Sequence, residues 1–210
     1  MIFITNFRWQ KNLNFPRMDN LISYLHTIHP LSNSLREHLH DIVQIKEIPK
    51  NDFLLRAGNT CRHIFFIESG LVRCFYTSGK EDISCWFMKE GDVIISVESF
   101  LGQQPGYENI QAMEDIVGYC IRWEQLQFIY RHFPEFNFIG RVLTEKYYTL
   151  SERRLYSMRL QKAPDRYDYL LRDTPELINR IPVKYLASYL GISRETLSRI
   201  RHSRSISRYS

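Results

Sequence analysis

Between Ile181 and Arg201 the chain reads Ile-Pro-Val-Lys-Tyr-Leu-Ala-Ser-Tyr-Leu-Gly-Ile-Ser-Arg-Glu-Thr-Leu-Ser-Arg-Ile-Arg. Seven polar side chains stand at its end, Ser193, Arg194, Glu195, Thr196, Ser198, Arg199 and Arg201; six of them can donate hydrogen bonds to a polyanion, and Glu195 can accept. An arginine fork matches O6 and N7 of guanine, and a glutamate accepts from N4 of cytosine. Serine and threonine more often anchor phosphates, a role also open to Lys184 and Tyr185. For any one arginine the plain alternative is a solvated surface charge. What makes the pattern specific is the set of elements that must hold it.

Pro182 suits the first turn of a helix, where its missing N–H costs nothing. Ala187 is small enough for a second helix to cross closely, and Gly191 can take the positive φ of a tight interhelical turn. Ser193 is an N-cap for the next helix, and Glu195 in its first turn suits the helix dipole. Counted from Ala187, apolar residues fall at −1 (Leu186), +3 (Leu190), +5 (Ile192), +10 (Leu197) and +13 (Ile200). That is the packing mask of a helix-turn-helix, with an ordinary αα-hairpin as the alternative.

Charge agrees. Residues 151–210 hold 13 Lys+Arg against 6 Asp+Glu, a net of +7, while residues 1–150 hold 15 against 17, a net of −2. A basic C-terminal quarter on a near-neutral body points to nucleic acid. With 210 residues, the chain is long enough for one large domain or two small ones. No apolar run approaches the ~20 residues of a membrane span, and the start lacks the features of a secretory signal. Cys61, Cys74, Cys85 and Cys120 have no metal-site or CxxC spacing, so reduced thiols in a cytoplasmic setting are expected.

The organisation expected along the chain is a 1–17 extension without a stable period, with the folded protein starting at Met18. A helix through Leu21, Ile22, Leu25 and Ile28 follows, capped by Asp19 or Asn20, then one through Leu35, Leu39 and Ile42 capped by Ser32 or Asn33. Eight short strands are expected at Val43–Ile48, Phe53–Leu55, His63–Glu68, Leu71–Thr77, Ile83–Met88, Val93–Ile95, Asn109–Ala112 and Ile116–Ile121. Their spacing and turn residues read as a sandwich or jelly roll. A helix over Trp123–His132 precedes a longer one from Glu135 to Leu160. Its stripe through Phe136, Ile139, Leu143, Tyr147 and Leu150 can bury against its own domain or a symmetry mate. A helix over 164–180, interrupted near Pro175, leads to the helix-turn-helix, and the last eight residues read as a loose basic tail.

A β-roll, a long helix and then Ser193-Arg194-Glu195-Thr196-Leu197-Ser198-Arg199-Ile200 resemble the Crp/Fnr family of bacterial transcription regulators over residues 18–202. Ala57-Gly58, the run Ile64 to Gly70 and Glu90-Gly91-Asp92 strengthen the likeness. The resemblance implies an α+β fold: an N-terminal β-roll (a double-stranded β-helix or jelly roll) as a cyclic-nucleotide-binding-like sensor domain over 18–134, a long dimerisation helix over 135–160 and a helix-turn-helix DNA-binding domain over 161–210. It also implies that Arg194, Glu195 and Arg199 read bases, and that Ile139, Leu143, Tyr147 and Leu150 form the dimer interface.

Two departures qualify it. Cyclic-AMP-binding members carry a Gly-Glu-Leu run and an Arg-Ser-Ala, whose Glu and Arg hold ribose and phosphate. Here the matching stretches contain Ser96, Glu98 and Ser99, and Tyr107, Glu108 and Asn109. Glu108 would repel a phosphate, which argues against cyclic AMP and leaves either another pocket ligand or a vestigial scaffold. No β-hairpin wing is evident after the second helix, and the oxygen sensors' cysteine cluster is missing.

Rival readings are weaker. A metal-dependent jelly-roll enzyme needs clustered ligands, yet only His63 lies among the strands, and no catalytic or metal constellation stands out. A sensor-fold binding protein acting through protein or small-molecule contacts, with a non-functional helix-turn-helix, is the closer rival. The reading is therefore a cytoplasmic homodimer that binds double-stranded DNA and is no enzyme. It has no evident cofactor and no membrane partner, while RNA polymerase and an unidentified small-molecule effector remain open as partners.

Overall fold

The computed structural model describes residues 18–206, with no side-chain detail for Ser205 and Ile206. The expected extension over 1–17 and the last four residues of the expected tail lie outside the described residues. Two compact units are present. One takes the described residues up to Arg73 together with Phe87–Lys146, and the other takes Cys74–Trp86 together with Tyr147 onward.

The first unit opens with α1 (Asp19–Ile28) and α2 (Asn33–Ile42). Ser32 caps α2, its hydroxyl accepting from Leu35 N at 3.2 Å, as expected. At α1 the expectation fails: Met18 is the N-cap and provides no side-chain bond. The Asn20 amide is instead drawn away to the Glu68 carboxylate.

Eight strands follow: β1 (Gln44–Ile48), β2 (Phe53–Leu55), β3 (His63–Ser69), β4 (Val72–Ser78), β5 (Glu81–Met88), β6 (Val93–Ile94), β7 (Asn109–Ala112) and β8 (Ile116–Arg122). They form two four-stranded sheets ordered β1-β8-β3-β6 and β2-β7-β4-β5. In the first, β8 lies antiparallel to β1 with Ile48 opposite Ile116, and antiparallel to β3 with Phe66 opposite Tyr119. Phe66, Ile67, Leu71, Ile94, Ile110, Ile116 and Tyr119 are buried and form the roll's core. A short helix, α3 (Val97–Gly102), interrupts the strands and was not expected. The helix α4 (Trp123–His132) closes the roll, followed by α5 (Pro134–Arg159). This α+β, β-roll-plus-helix architecture is the one expected.

The second unit contains the end of the β4–β5 hairpin, the C-terminal half of α5, then α6 (Ala163–Asp173), a 3-10 turn at Pro175–Leu177, α7 (Val183–Leu190) and α8 (Arg194–Ile206). Helix α8 runs through Ser203–Ile206, where a loose tail was expected. Arg204 explains the extension: its Nε donates to Asp168 Oδ1 on α6 at 2.9 Å, and Nη2 closes a second bond to Oδ2. A two-pronged guanidinium–carboxylate contact of this kind holds an otherwise solvent-facing helix end.

Glu68 makes a testable contribution to stability. Burial pushes its carboxyl above the ordinary range, and the Asn20 hydrogen bond pulls it partly back. The folded chain therefore retains a proton that the unfolded chain has released. Stability falls as pH rises from the ordinary carboxyl value of ~4.3 through the raised folded value. Glu68→Gln keeps an acceptor for Asn20, so thermal unfolding at pH 7 is expected to show a higher midpoint for the variant. The gain should vanish below about pH 4; an equal gain at all pH values would refute the assignment.

Candidate nucleic-acid interface and sensor loop

The mask residues do what their spacing requires. Leu186 and Leu197 are fully buried, Ala187, Leu190 and Ile200 nearly so, and Ile192 half-buried. Gly191 sits at φ 63°, in the left-handed region. The chain reverses there through Ile192 N to Ala187 O and Gly191 N to Ser188 O, both 3.1 Å, the paired bonds of a Schellman turn. Ser193 then starts α8, its hydroxyl accepting from Thr196 N at 3.1 Å. The backbone N–H at Glu195 and the Ser193 hydroxyl hold the Glu195 carboxyl below its usual range, so it is an anion and an acceptor at neutral pH.

With Leu197 and Ile200 turned inward, Arg194, Glu195, Ser198 and Arg199 stand exposed on the opposite face. Ser193 is exposed at the helix start, and Thr196 is half-buried with its hydroxyl accepting from Arg199 Nη2 at 3.3 Å. Arg201 departs from the expected site. It lies one turn beyond Leu197, on the packing side, and its Nη2 donates to Ile178 O at 3.3 Å. Its Nε is buried too. This arginine binds its own unit and is removed from the set of DNA-facing candidates.

The sensor-loop candidates divide likewise. Ser96 and Ser99 are buried, and Glu108 and Asn109 half-buried. Ser96 donates to Glu108 Oε2 at 2.6 Å. Ser99 accepts from Cys61 N at 2.8 Å and donates to Gln104 O, and Asn109 Oδ1 accepts from Ala57 N at 3.0 Å. These bonds tie three loops together. Gly106 packs so tightly here that a Cβ would lie 2.9 Å from Ser99 Cβ. Glu98 and Tyr107 are not part of this cluster; both lie on the exposed surface. Among the described residues no cation pairs with Glu108. Burial pushes the nearby Cys61 thiol up, which keeps it protonated and unreactive.

The expected dimer stripe also needs correction. Ile139 is 0% exposed and has no surface left for a partner. Leu143, Tyr147 and Leu150 are half-buried. The exposed stripe is the neighbouring one, Thr144, Tyr148, Ser151, Leu155 and Met158, at alternating spacings of four and three. Tyr148 is 67% exposed and Met158 59%. Among the described residues no group of side chains could hold a metal, and no helix is long and apolar enough to cross a membrane.

Residues 45–133 match the cyclic nucleotide-binding domain family. No curated protein sequence matches the chain. Among solved structures, it resembles the c-di-GMP-responsive global regulator CLP of Xanthomonas campestris, with 15% identity, 84% of this chain and 93% of that one covered, and a TM-score of 0.68. A CooA mutant from Carboxydothermus hydrogenoformans gives 18% identity, 87% and 83% coverage and 0.65. The Thermus thermophilus catabolite activator protein gives 22%, 88% and 87%, and 0.52. Residues 45–133 thus resemble a cyclic nucleotide-binding domain, and along most of its length the chain has the fold of these three solved proteins.

Proposed function

We propose that the chain is a homodimeric, sequence-specific DNA-binding transcription regulator of the Crp/Fnr type that does not respond to cyclic AMP. The observation that carries it is the helix-turn-helix: its five-position mask faces inward, while Arg194, Glu195, Ser198 and Arg199 share the outward face. In this reading residues 18–134 are the sensor, 135–160 the dimerisation helix and 161–210 the DNA-binding domain. The dimer would form along Tyr148, Leu155 and Met158, with Leu143, Tyr147 and Leu150 beside them. Two α8 helices would then enter successive major grooves about one helical turn apart.

The case against cyclic AMP rests on Glu108. An incoming cyclic phosphate would meet a carboxylate already bonded to Ser96, with no arginine at hand to neutralise it. Enrichment of bound sequences from a random duplex pool, without effector and at moderate salt, tests the DNA reading. The expected product is a roughly palindromic motif with half-sites about one turn apart. If no motif is enriched with or without cell extract as an effector source, the sensor-fold binding protein replaces it. Calorimetry with cyclic AMP tests the second part, and micromolar binding would overturn it.

A further inference from the structure

Within the second unit, the C-terminal half of α5, α6, α7 and the end of β5 enclose a cleft of about 40 Å³. Its charge is unbalanced: Arg153, Arg154 and Arg166 line it against a single carboxylate, Asp173. Among the described residues Asp173 makes its ion pair with Arg153, at 3.9 Å. Arg154 lies over the Tyr189 ring, 3.5 Å from its centroid, and donates through Nη2 to Tyr189 O. Its Nε is buried with no hydrogen-bond partner. Arg166 donates to Leu190 O at 2.9 Å and to Leu160 O at 2.7 Å.

The carbonyls that receive these bonds lie at or just past the ends of α7 and α5, and a helix end carries about half a negative charge. They therefore offset part of the two guanidinium charges and leave the rest. Burial cannot discharge an arginine, because its pKa lies too far above neutrality. A cationic group kept from water needs an anion or a full set of acceptors, and among the described residues neither Arg154 nor Arg166 has a carboxylate partner. The cleft's volume is a few times the ~10–15 Å³ that one water needs, room for a single small oxyanion.

We propose that this cleft binds a phosphate group, either free or carried by a small organic molecule, held by Arg153, Arg154 and Arg166. Planar guanidinium forks pair with phosphate oxygens two at a time, and the unpartnered Nε of Arg154 is the donor such a ligand would satisfy. An organic remainder would lie against Trp86 and Tyr169, which also line the cleft. The site is separate from the loop of Ser96, Ser99 and Glu108, and its aromatic walls give a nucleotide base a surface to stack on.

The test is calorimetric titration of the full chain at constant ionic strength and without DNA, using inorganic phosphate and adenosine monophosphate. One saturable site per chain is expected. Arg153→Gln should weaken it about tenfold while leaving the thermal midpoint unchanged, because that side chain is half exposed. Arg154→Gln should weaken it further. Tighter binding of the nucleotide assigns an organic phosphate, and equal affinities assign the free oxyanion. Two results would overturn the proposal: no saturation with either probe up to about ten millimolar, an affinity of roughly −3 kcal/mol, or binding that survives both substitutions. Since no DNA is present, either outcome leaves the regulator reading to its own experiment.

Discussion

Arg194→Ala and Arg199→Ala are each expected to relax base preference at one position of a half-site by about 1–3 kcal/mol, roughly a 5- to 150-fold loss of discrimination. Both side chains are exposed on the outward face of α8, and neither contributes to the buried mask. Removing either should therefore leave the thermal midpoint nearly unchanged. Arg201→Ala should do the reverse. Its guanidinium is bound to Ile178 O with Nε buried, so its loss is a stability defect of about 1–3 kcal/mol with base preference intact. Competition binding to a panel of single-base variants of the selected site, beside thermal unfolding, separates the two patterns. Unchanged preference in both Arg194 and Arg199 variants would show that α8 docks by another face.

That contrast marks where one-dimensional pattern stops being informative. Arg194, Arg199 and Arg201 are equivalent as residue types. Only the position of Arg201 one turn after Leu197 puts it at the edge of the packing face, and only the folded unit brings Ile178 within its reach. The mask itself was legible because its signal is local: five apolar positions, an alanine and a glycine within about twenty residues determine the turn. The strands were legible for a similar reason, since each is a short run rich in apolar or alternating residues bounded by turn residues.

Other features depend on distant partners. Helix α3 spans only Val97–Gly102, too short for a helical period to show, and its Val97 and Phe100 favour strands by propensity. The extension of α8 to Ile206 depends on Asp168, 36 residues away from Arg204. On α5 the apolar period identified a helix but could not tell which side would meet the chain's own roll. Ile139 took that side, and the exposed stripe of Tyr148, Leu155 and Met158 lies one position round the helix. The arginine cleft has no sequence signature, because Trp86 reaches it from a hairpin some seventy residues before α5 delivers Arg153 and Arg154.

Gly70→Ala is expected to cost about 3–5 kcal/mol of folding stability, enough to leave much of the chain unfolded at physiological temperature. Gly70 turns β3 into β4 at φ 101°, a conformation that L side chains rarely adopt. A Cβ there would also lie 2.5 Å from the Asp115 carbonyl oxygen and 2.6 Å from Ile116 Cδ1. The Ile116 methyl could swing aside, but the carbonyl is backbone next to the start of β8, so relief requires moving a strand. Gly79→Ala is the milder control, free of the clash. It too has a positive φ, 62°, but nothing lies within 4 Å of the added carbon, so its cost should be only ~1 kcal/mol. Denaturant unfolding of the two variants beside the parent measures the difference, which combines the Asp115 carbonyl clash with the less accessible φ of Gly70. Equal costs would mean that β8 yields to the methyl group and that the clash adds nothing measurable.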